Sequence, residues 1–399
     1  MLNDEGSFDV NEKFKPFHET YKIFTYIMTM GLIYPNPKTE KIRLKLILFA
    51  ILFVSPLLFL IGYDVYKCCL RHDIVNIIRH STVAGPIVFI LLKIMSFYYN
   101  RDLVKELIDE INRDHVRYNK LPTKYQDIVE KSLRYHKTTE KRWVACVSIS
   151  SFLFVIMATV FTIYSQIFDA EPMKYMIHEI DAPTIESIIG WPYYEIMFVY
   201  ESYVSIYFVL NFSGFDGFFG VVINHACLKI KIFCNAFSDA LKESNEDEIM
   251  RLIHEIIRDQ CKMFSFVNTI LAVFSSWFVC ILIVALALIC NCMYLVIQGH
   301  GFDIRYIVFT IATIIHIFMP CWYASKLKSM SQESSTMAYF SGWEDVPIPR
   351  VRRTLMFFMA RGQVPLQIEA LNIIKFDMEL FVSIMRTSYT MLTLLQSSS

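Results

Sequence analysis

Residues 270–289, ILAVFSSWFVCILIVALALI, run for twenty positions without one charged side chain. At about 1.5 Å per residue such a helix is roughly 30 Å long, the thickness of a bilayer's hydrocarbon. One run of this kind could be the buried helix of a soluble protein, so its companions decide. Seven apolar stretches can be placed: Leu44–Tyr63, Ile77–Tyr98, Trp143–Ile167, Tyr193–Phe212, Phe264–Ile297 around the quoted run, Ile304–Tyr323 and Met378–Gln396. The second is the weakest, with Arg79 and His80 at one end and Lys93 near the other, where long basic side chains can snorkel to the interface. Composition agrees: AVILMFWYC make up 55 % of the 399 residues and DEKR only 19 %, against about a quarter charged in ordinary soluble domains. Thirty-eight basic and 38 acidic side chains cancel, which excludes the strong positive field of a typical nucleic-acid binder. The N-terminus, MLNDEGSFDVNEKFKPFHET, has no apolar signal core, so the first span is expected to direct insertion itself.

The expected fold is therefore an all-α polytopic membrane protein with seven transmembrane helices. With a cytoplasmic N-terminus, the inside segments 1–43, 100–142, 224–262 and 326–353 hold 28 Lys and Arg, and the outside segments hold 3. The positive-inside rule then predicts the N-terminus inside and the C-terminus outside, the reverse of a G-protein-coupled receptor. Three regions follow: a cytoplasmic N-terminal segment 1–43, a bundle 44–323 with spans one to six, and residues 324–399, an anchor segment followed by a split seventh helix. The inner extensions 100–142 and 224–262 read as helical. Leu103, Val104, Leu107, Ile108 and Ile111 form one apolar stripe, and Ile249, Leu252, Ile253, Ile256 and Ile257 form another. Their mixed charge favours packing into an anchor bundle over lying on a lipid surface. Thr354–Ile374 reads as a further short helix interrupted near Gly362 and Pro365.

Enzyme signatures are absent: there is no G-x-S-x-G, Walker A or G-x-G-x-x-G, and His254-Glu255 lacks the second zinc-binding histidine. Neither a metal nor a cofactor is expected. The ten Cys show no C-x-x-C, and most sit in apolar runs as small hydrophobes. Cys68 and Cys69 read as a short polar loop from which a disulfide to Cys290 or Cys292 stays open. Gly214, Gly217 and Gly220 read as points of close helix approach, and the Asn211 sequon lies at membrane depth.

Polar groups inside spans are the sharper pointers, because each costs roughly 2.5–3.5 kcal/mol at the centre of a lipid-facing helix. Glu201 and Arg386 stand out. In the last span Met385, Ser388, Leu392 and Gln396 share one face, with Asp377 and Glu379 at the inner end. Several copies could line a conduit with Leu392 as an apolar constriction; a simply packed helix reads equally well. A second set suits a small apolar ligand: His80, Val83, Ala84 and Ile87 on span two, and Phe154, Met157, Ala158 and Phe161 on span three. Tyr194, Met197, Phe198 and Glu201 on span four and Tyr306 with Phe309 on span six complete it. Such stripes also serve plain helix packing.

The last sixty residues carry a resemblance. Tyr339, Trp343, the basic run Arg350–Arg353, Pro365-Leu366 before Ala370, Phe381 and Ser388-Tyr389-Thr390 resemble the closing signature of the insect odorant receptors. Related gustatory receptors end in Thr-Tyr with Gln six residues after Tyr. Here Ser388 replaces Thr and Gln396 lies seven after Tyr389, which favours the odorant branch. The short 224–262 segment points to a ligand-tuned subunit and not the shared coreceptor. The resemblance implies an odorant-gated nonselective cation channel in the plasma membrane of an olfactory neuron dendrite, assembled as a hetero-tetramer with that coreceptor. It implies a small volatile odorant or pheromone bound in the outer half of the bundle, and a pore lined by the last helix with Leu392 and Gln396 at its narrowest. A gustatory-type channel, or a seven-span receptor or transporter without its own pore, is the alternative.

Overall fold

A computed structural model describes residues 12–169, 171–178, 192–243, 245–298, 304–345, 348–371 and 373–398. Two short helices, α1 (Phe17–Thr20) and α2 (Lys22–Met30), precede α3 (Glu40–Leu70) and α4 (Ile74–Tyr99). Then come α5 (Arg101–Asn119), α6 (Thr123–Phe168), α7 (Tyr193–Ala240), α8 (Glu246–Gln298) and α9 (Ile304–Tyr339). Helix α10 (Pro349–Gly362), a hairpin of β1 (Ile368–Ala370) and β2 (Ile374–Phe376), and α11 (Met378–Ser398) complete the chain. Helices α3, α4, α6, α7, α8 and α9 are each long and apolar enough to cross a membrane, and each contains one expected span. Among the described residues α11, with 21 residues and a length of about 30 Å, contains the seventh expected span but is not one of the six that meet that measure.

The segments read from sequence as inner extensions are helical: α5 stands by itself, and the others continue the spans of α6, α7 and α8. Helices α6, α7 and α8 run unbroken for 46, 48 and 53 residues, more than the roughly 20 a bilayer's hydrocarbon needs, and their extra turns hold basic segments packed as a bundle. Val104, Leu107, Ile108 and Ile111 of α5 are buried there, as are Ile249, Ile253 and Ile256 of α8. The bundle is tied by ions as well: His225 Nε2 lies 2.8 Å from Asp114 Oδ2, and Lys229 Nζ lies 2.7 Å from Glu110 and 2.8 Å from Asp114. These partners hold the Asp114 carboxyl well below the usual carboxylate range against the cost of its burial. The neighbouring His115, fully buried with its Nδ1 2.8 Å from the Lys15 carbonyl, is pushed down to about 4 by burial and by His225.

Helix α7 is the axis of the molecule, and every residue from Asn211 to Leu228 is buried. Its glycines make that possible. A Cβ on Gly217 would stand 2.5 Å from the Phe24 ring, and one on Gly220 would stand 2.9 Å from the Tyr323 hydroxyl. Between these contacts Phe215, Phe218 and Phe219 interleave with Phe274 and Trp277 of α8, the Phe219 and Phe274 rings being 5.1 Å apart. Prolines lie inside three spans: Pro56 in α3, Pro86 in α4 and Pro320 in α9.

Two local readings are corrected. Cys68 and Cys69 occupy the last turns of α3, where the helix outlasts its apolar core, and none of the ten cysteines forms a disulfide. The stretch 354–374 is helical only to Gly362. Pro365 cannot continue the helix, and the chain turns back as a hairpin whose corner residue, Leu371, takes φ 54°. Gly362 ends the helix hard against Ser335 of α9, where a Cβ would meet the Ser335 Cβ at 3.0 Å.

Candidate functional site

The expected ligand residues separate into two groups. Phe154 of α6 meets Tyr306 and Phe309 of α9 edge-on, with ring centroids 6.2 and 5.8 Å apart, and the Arg305 guanidinium stands 6.0 Å from the Phe154 ring. Ala158 is buried beside them, Met157 is half-buried, and Phe161 faces outward against Tyr175. Tyr194 packs on Phe198 at 5.8 Å, with Met197 half-buried on the same helix. Val83, Ala84 and Ile87 belong elsewhere: they pack toward Val54, Leu57 and Ile61 of α3 and Val204 of α7. Pro86 and Phe89, on another face of α4, point to the bundle interior instead, which periodicity in one helix does not reveal.

Residues 171–178 lie across the end of the bundle farthest from the basic segments and are held by side chains of α6 and α7. Ser165 Oγ accepts from the Met173 amide at 2.8 Å and Thr162 Oγ1 from the Tyr175 amide at 2.9 Å. The Tyr194 hydroxyl donates to the Tyr175 carbonyl at 3.1 Å, and Glu201 accepts from the His178 amide at 3.1 Å. His178 also meets His80 ring to ring at 5.4 Å. His80 and Glu201 are thus buried parts of a seal over the bundle.

A cavity lies one to two turns deeper. Pro86 and Phe89 of α4, Trp143, Val147 and Ser150 of α6, Phe212 of α7, Leu288 of α8, and Phe309, Thr313 and His316 of α9 are among its walls. Its free volume is about 30 Å³, so an odorant-sized molecule needs the helices to part. Only Phe309 belongs to both the sequence-derived set and this lining. Beneath the cavity stands a charged network that sequence reasoning missed. Lys93 Nζ is 2.7 Å from Asp216 Oδ1, and His316 Nε2 is 3.0 Å from Asp216 Oδ2, so α4, α7 and α9 meet at one carboxylate. Lys93 does not snorkel: its side chain is wholly buried, with the ammonium 3.7 Å from the centre of the Phe212 ring. The detectable signal was an Asp within the Gly-Phe pattern of span four and a Lys within span two, each of which requires a partner.

On α11, Ser388 and Leu392 are buried inside the subunit, Leu392 in a cluster with Ile78, Tyr294 and Leu295. Met385 is half-buried against the main core of the bundle. The face read from sequence as pore-lining is therefore the packed face in this conformation. Val382, Arg386, Tyr389 and Thr393 are exposed instead. Asp377 caps the helix, accepting from the Leu380 amide at 3.1 Å, and lies 3.4 Å from Lys328; Glu379 is exposed in the first turn. Gln396 lies in the helix, with its side chain outside the described residues.

Residues 73–389 match the family model described as 7tm Odorant receptor. The chain belongs to that family. Odorant receptor 10 of Aedes albopictus is 22 % identical over 315 residues, 77 % of this chain and 80 % of that protein. Odorant receptor 85f of Drosophila melanogaster is 24 % identical over 158 residues, and the match spans only 40 % of its length. Among solved structures, the olfactory receptor OR5 of Machilis hrabei in complex with eugenol superposes with a TM-score of 0.78 at 16 % identity, covering 96 % of this chain and 98 % of that one. At that identity the likeness speaks for the fold. This odorant receptor is accordingly a multi-pass, nearly all-helical membrane protein.

Proposed function

We propose that this odorant receptor is a ligand-tuned subunit of an odorant-gated, nonselective cation channel in the plasma membrane of an olfactory neuron dendrite. It assembles with the family's coreceptor as a hetero-tetramer, with its N-terminus in the cytosol and its C-terminus outside. A small volatile molecule binds among α4, α6, α7 and α9, and α11 lines the pore. The observation that carries this reading is α11 itself, a helix packed on one side whose other side presents Arg386, Tyr389 and Thr393 in the last span. In lipid such a polar face calls for water or protein beside it. Support for a ligand comes from a Machilis hrabei receptor of the same fold that was solved with eugenol.

Co-expression with the coreceptor should give inward current to some members of a broad volatile panel. Cysteines placed singly at Leu392 and Thr393 then locate the pore face. Thiol reagents should block through Thr393→Cys and spare Leu392→Cys if the packing seen here persists in the channel. The reverse pattern would restore Leu392 as the constriction. Surface-delivered channels silent to every volatile would remove the ligand-gated reading.

A further inference from the structure

Two hydroxyls on the deep cavity have already committed their own hydrogens. Ser150 Oγ donates to the Val147 carbonyl at 3.0 Å, and Thr313 Oγ1 donates to the Phe309 carbonyl at 2.8 Å. Each hydroxyl can then only accept a further bond. His316 supplies an acceptor by another route. Asp216 is neutralised by Lys93 at 2.7 Å, so an imidazolium would add an uncompensated charge in hydrocarbon. A neutral ring keeps one nitrogen as an acceptor in either tautomer, its Nε2 standing 3.0 Å from Asp216 Oδ2 outside hydrogen-bond geometry. The complementary group is the Trp143 indole N–H, which is buried without a partner while its ring lies parallel to His316 with centroids 6.0 Å apart. Several acceptors beside one unused donor match a hydroxyl, which donates one bond and accepts another. A carbonyl or ether oxygen only accepts, and leaves Ser150, Thr313 and His316 unanswered.

We propose that this cavity is a hydroxyl-recognising subsite that takes the O–H end of a small alcohol. The apolar body of the ligand points outward toward Phe309 and Phe154. The volume of about 30 Å³ suits a hydroxymethyl group or a water or two, and not a whole odorant. This assignment rests on the ligand-binding reading above and adds the ligand's chemical class and orientation to it.

The test compares 1-hexanol, hexanal and 1-methoxypentane, which share chain length and heavy-atom count and differ in hydrogen bonding. Apparent affinities come from thermal-shift titration of the purified full-length receptor, and potencies from currents of the co-expressed channel. One net hydrogen bond corresponds to roughly a 3- to 10-fold preference, so 1-hexanol should lead both others by that factor. Ser150→Ala with Thr313→Val should bring the three compounds together, and so should His316→Phe; the ratio between compounds cancels their different partitioning into detergent or lipid. The proposal is overturned by equal affinities in the unmodified receptor. It is also overturned if the alcohol preference survives in both variants, which would place recognition at the outer Tyr194 and Thr162 hydroxyls. Density in the cavity that 1-hexanol does not displace would mark a structural water and overturn it as well. If the three compounds bind and gate equally, the subsite fails while the channel reading stands. If no volatile of any class binds or gates, the channel reading fails first.

Discussion

Helices α7 and α11 each contain one of the seven apolar runs, yet their surroundings in a single subunit are opposite. From Asn211 to Leu228, α7 touches protein on every side, and even its charge at Asp216 is answered by Lys93 and His316. Helix α11 touches protein along Ile384, Ser388 and Leu392 and leaves Val382, Arg386, Tyr389 and Thr393 uncovered. A helix like α7 is complete within one chain, whereas α11 is finished only by something else. The first carries the fold, and the second is where, in the channel proposed above, the chain meets its assembly.

The sharpest way to break this contrast is Asp216→Asn. It strands the Lys93 ammonium in a dry site, at a cost of about 3–5 kcal/mol, and surface expression should collapse. Normal delivery to the surface would mean that water reaches Lys93. A smaller effect is expected from Leu392→Ala, which empties the cluster with Ile78, Tyr294 and Leu295 for roughly 1–3 kcal/mol. Thermal midpoint and basal current should be read together: a lower midpoint with unchanged leak supports packing, and raised leak at an unchanged midpoint supports a gate. Smallest is a dependence on pH in the basic bundle. His115 sits near 4 in the folded chain and near 6.5 when unfolded, so the unfolded chain takes up the proton first as pH falls. Stability should therefore drop between about pH 6.5 and 4, by on the order of 2 kcal/mol from pH 7 to 5. His115→Gln should flatten that slope in a detergent-solubilised thermal scan, and an unaltered slope would assign the acid sensitivity elsewhere.

Much of the fold was legible because hydrocarbon imposes a length and forbids charge. Each of the seven apolar runs lies within a helix, and the stripes of α5 and α8 are buried as their spacing predicts. The closing hairpin was illegible because Ile-Glu-Ala and Ile-Lys-Phe are too short to show alternation. The site was legible only in part. Phe154, Tyr306 and Phe309 do converge, since aromatic residues three apart on α9 can only share a face. The network of Lys93, Asp216 and His316 joins residues up to 223 positions apart, and periodicity within one helix is blind to such pairing. Asp216 could have been suspected from its position alone. Which lysine answered it could not.

Pro320 has a consequence for α9. A proline has no N–H to offer the carbonyl four residues back, and that carbonyl belongs to His316. The rod that carries the cavity's imidazole is thus missing a rung of its ladder at that very level. Tilting its outer portion relative to the remainder requires no rung to be broken there, so a guest wedged between Phe309 and Trp143 meets a member already jointed at the height of its own fulcrum.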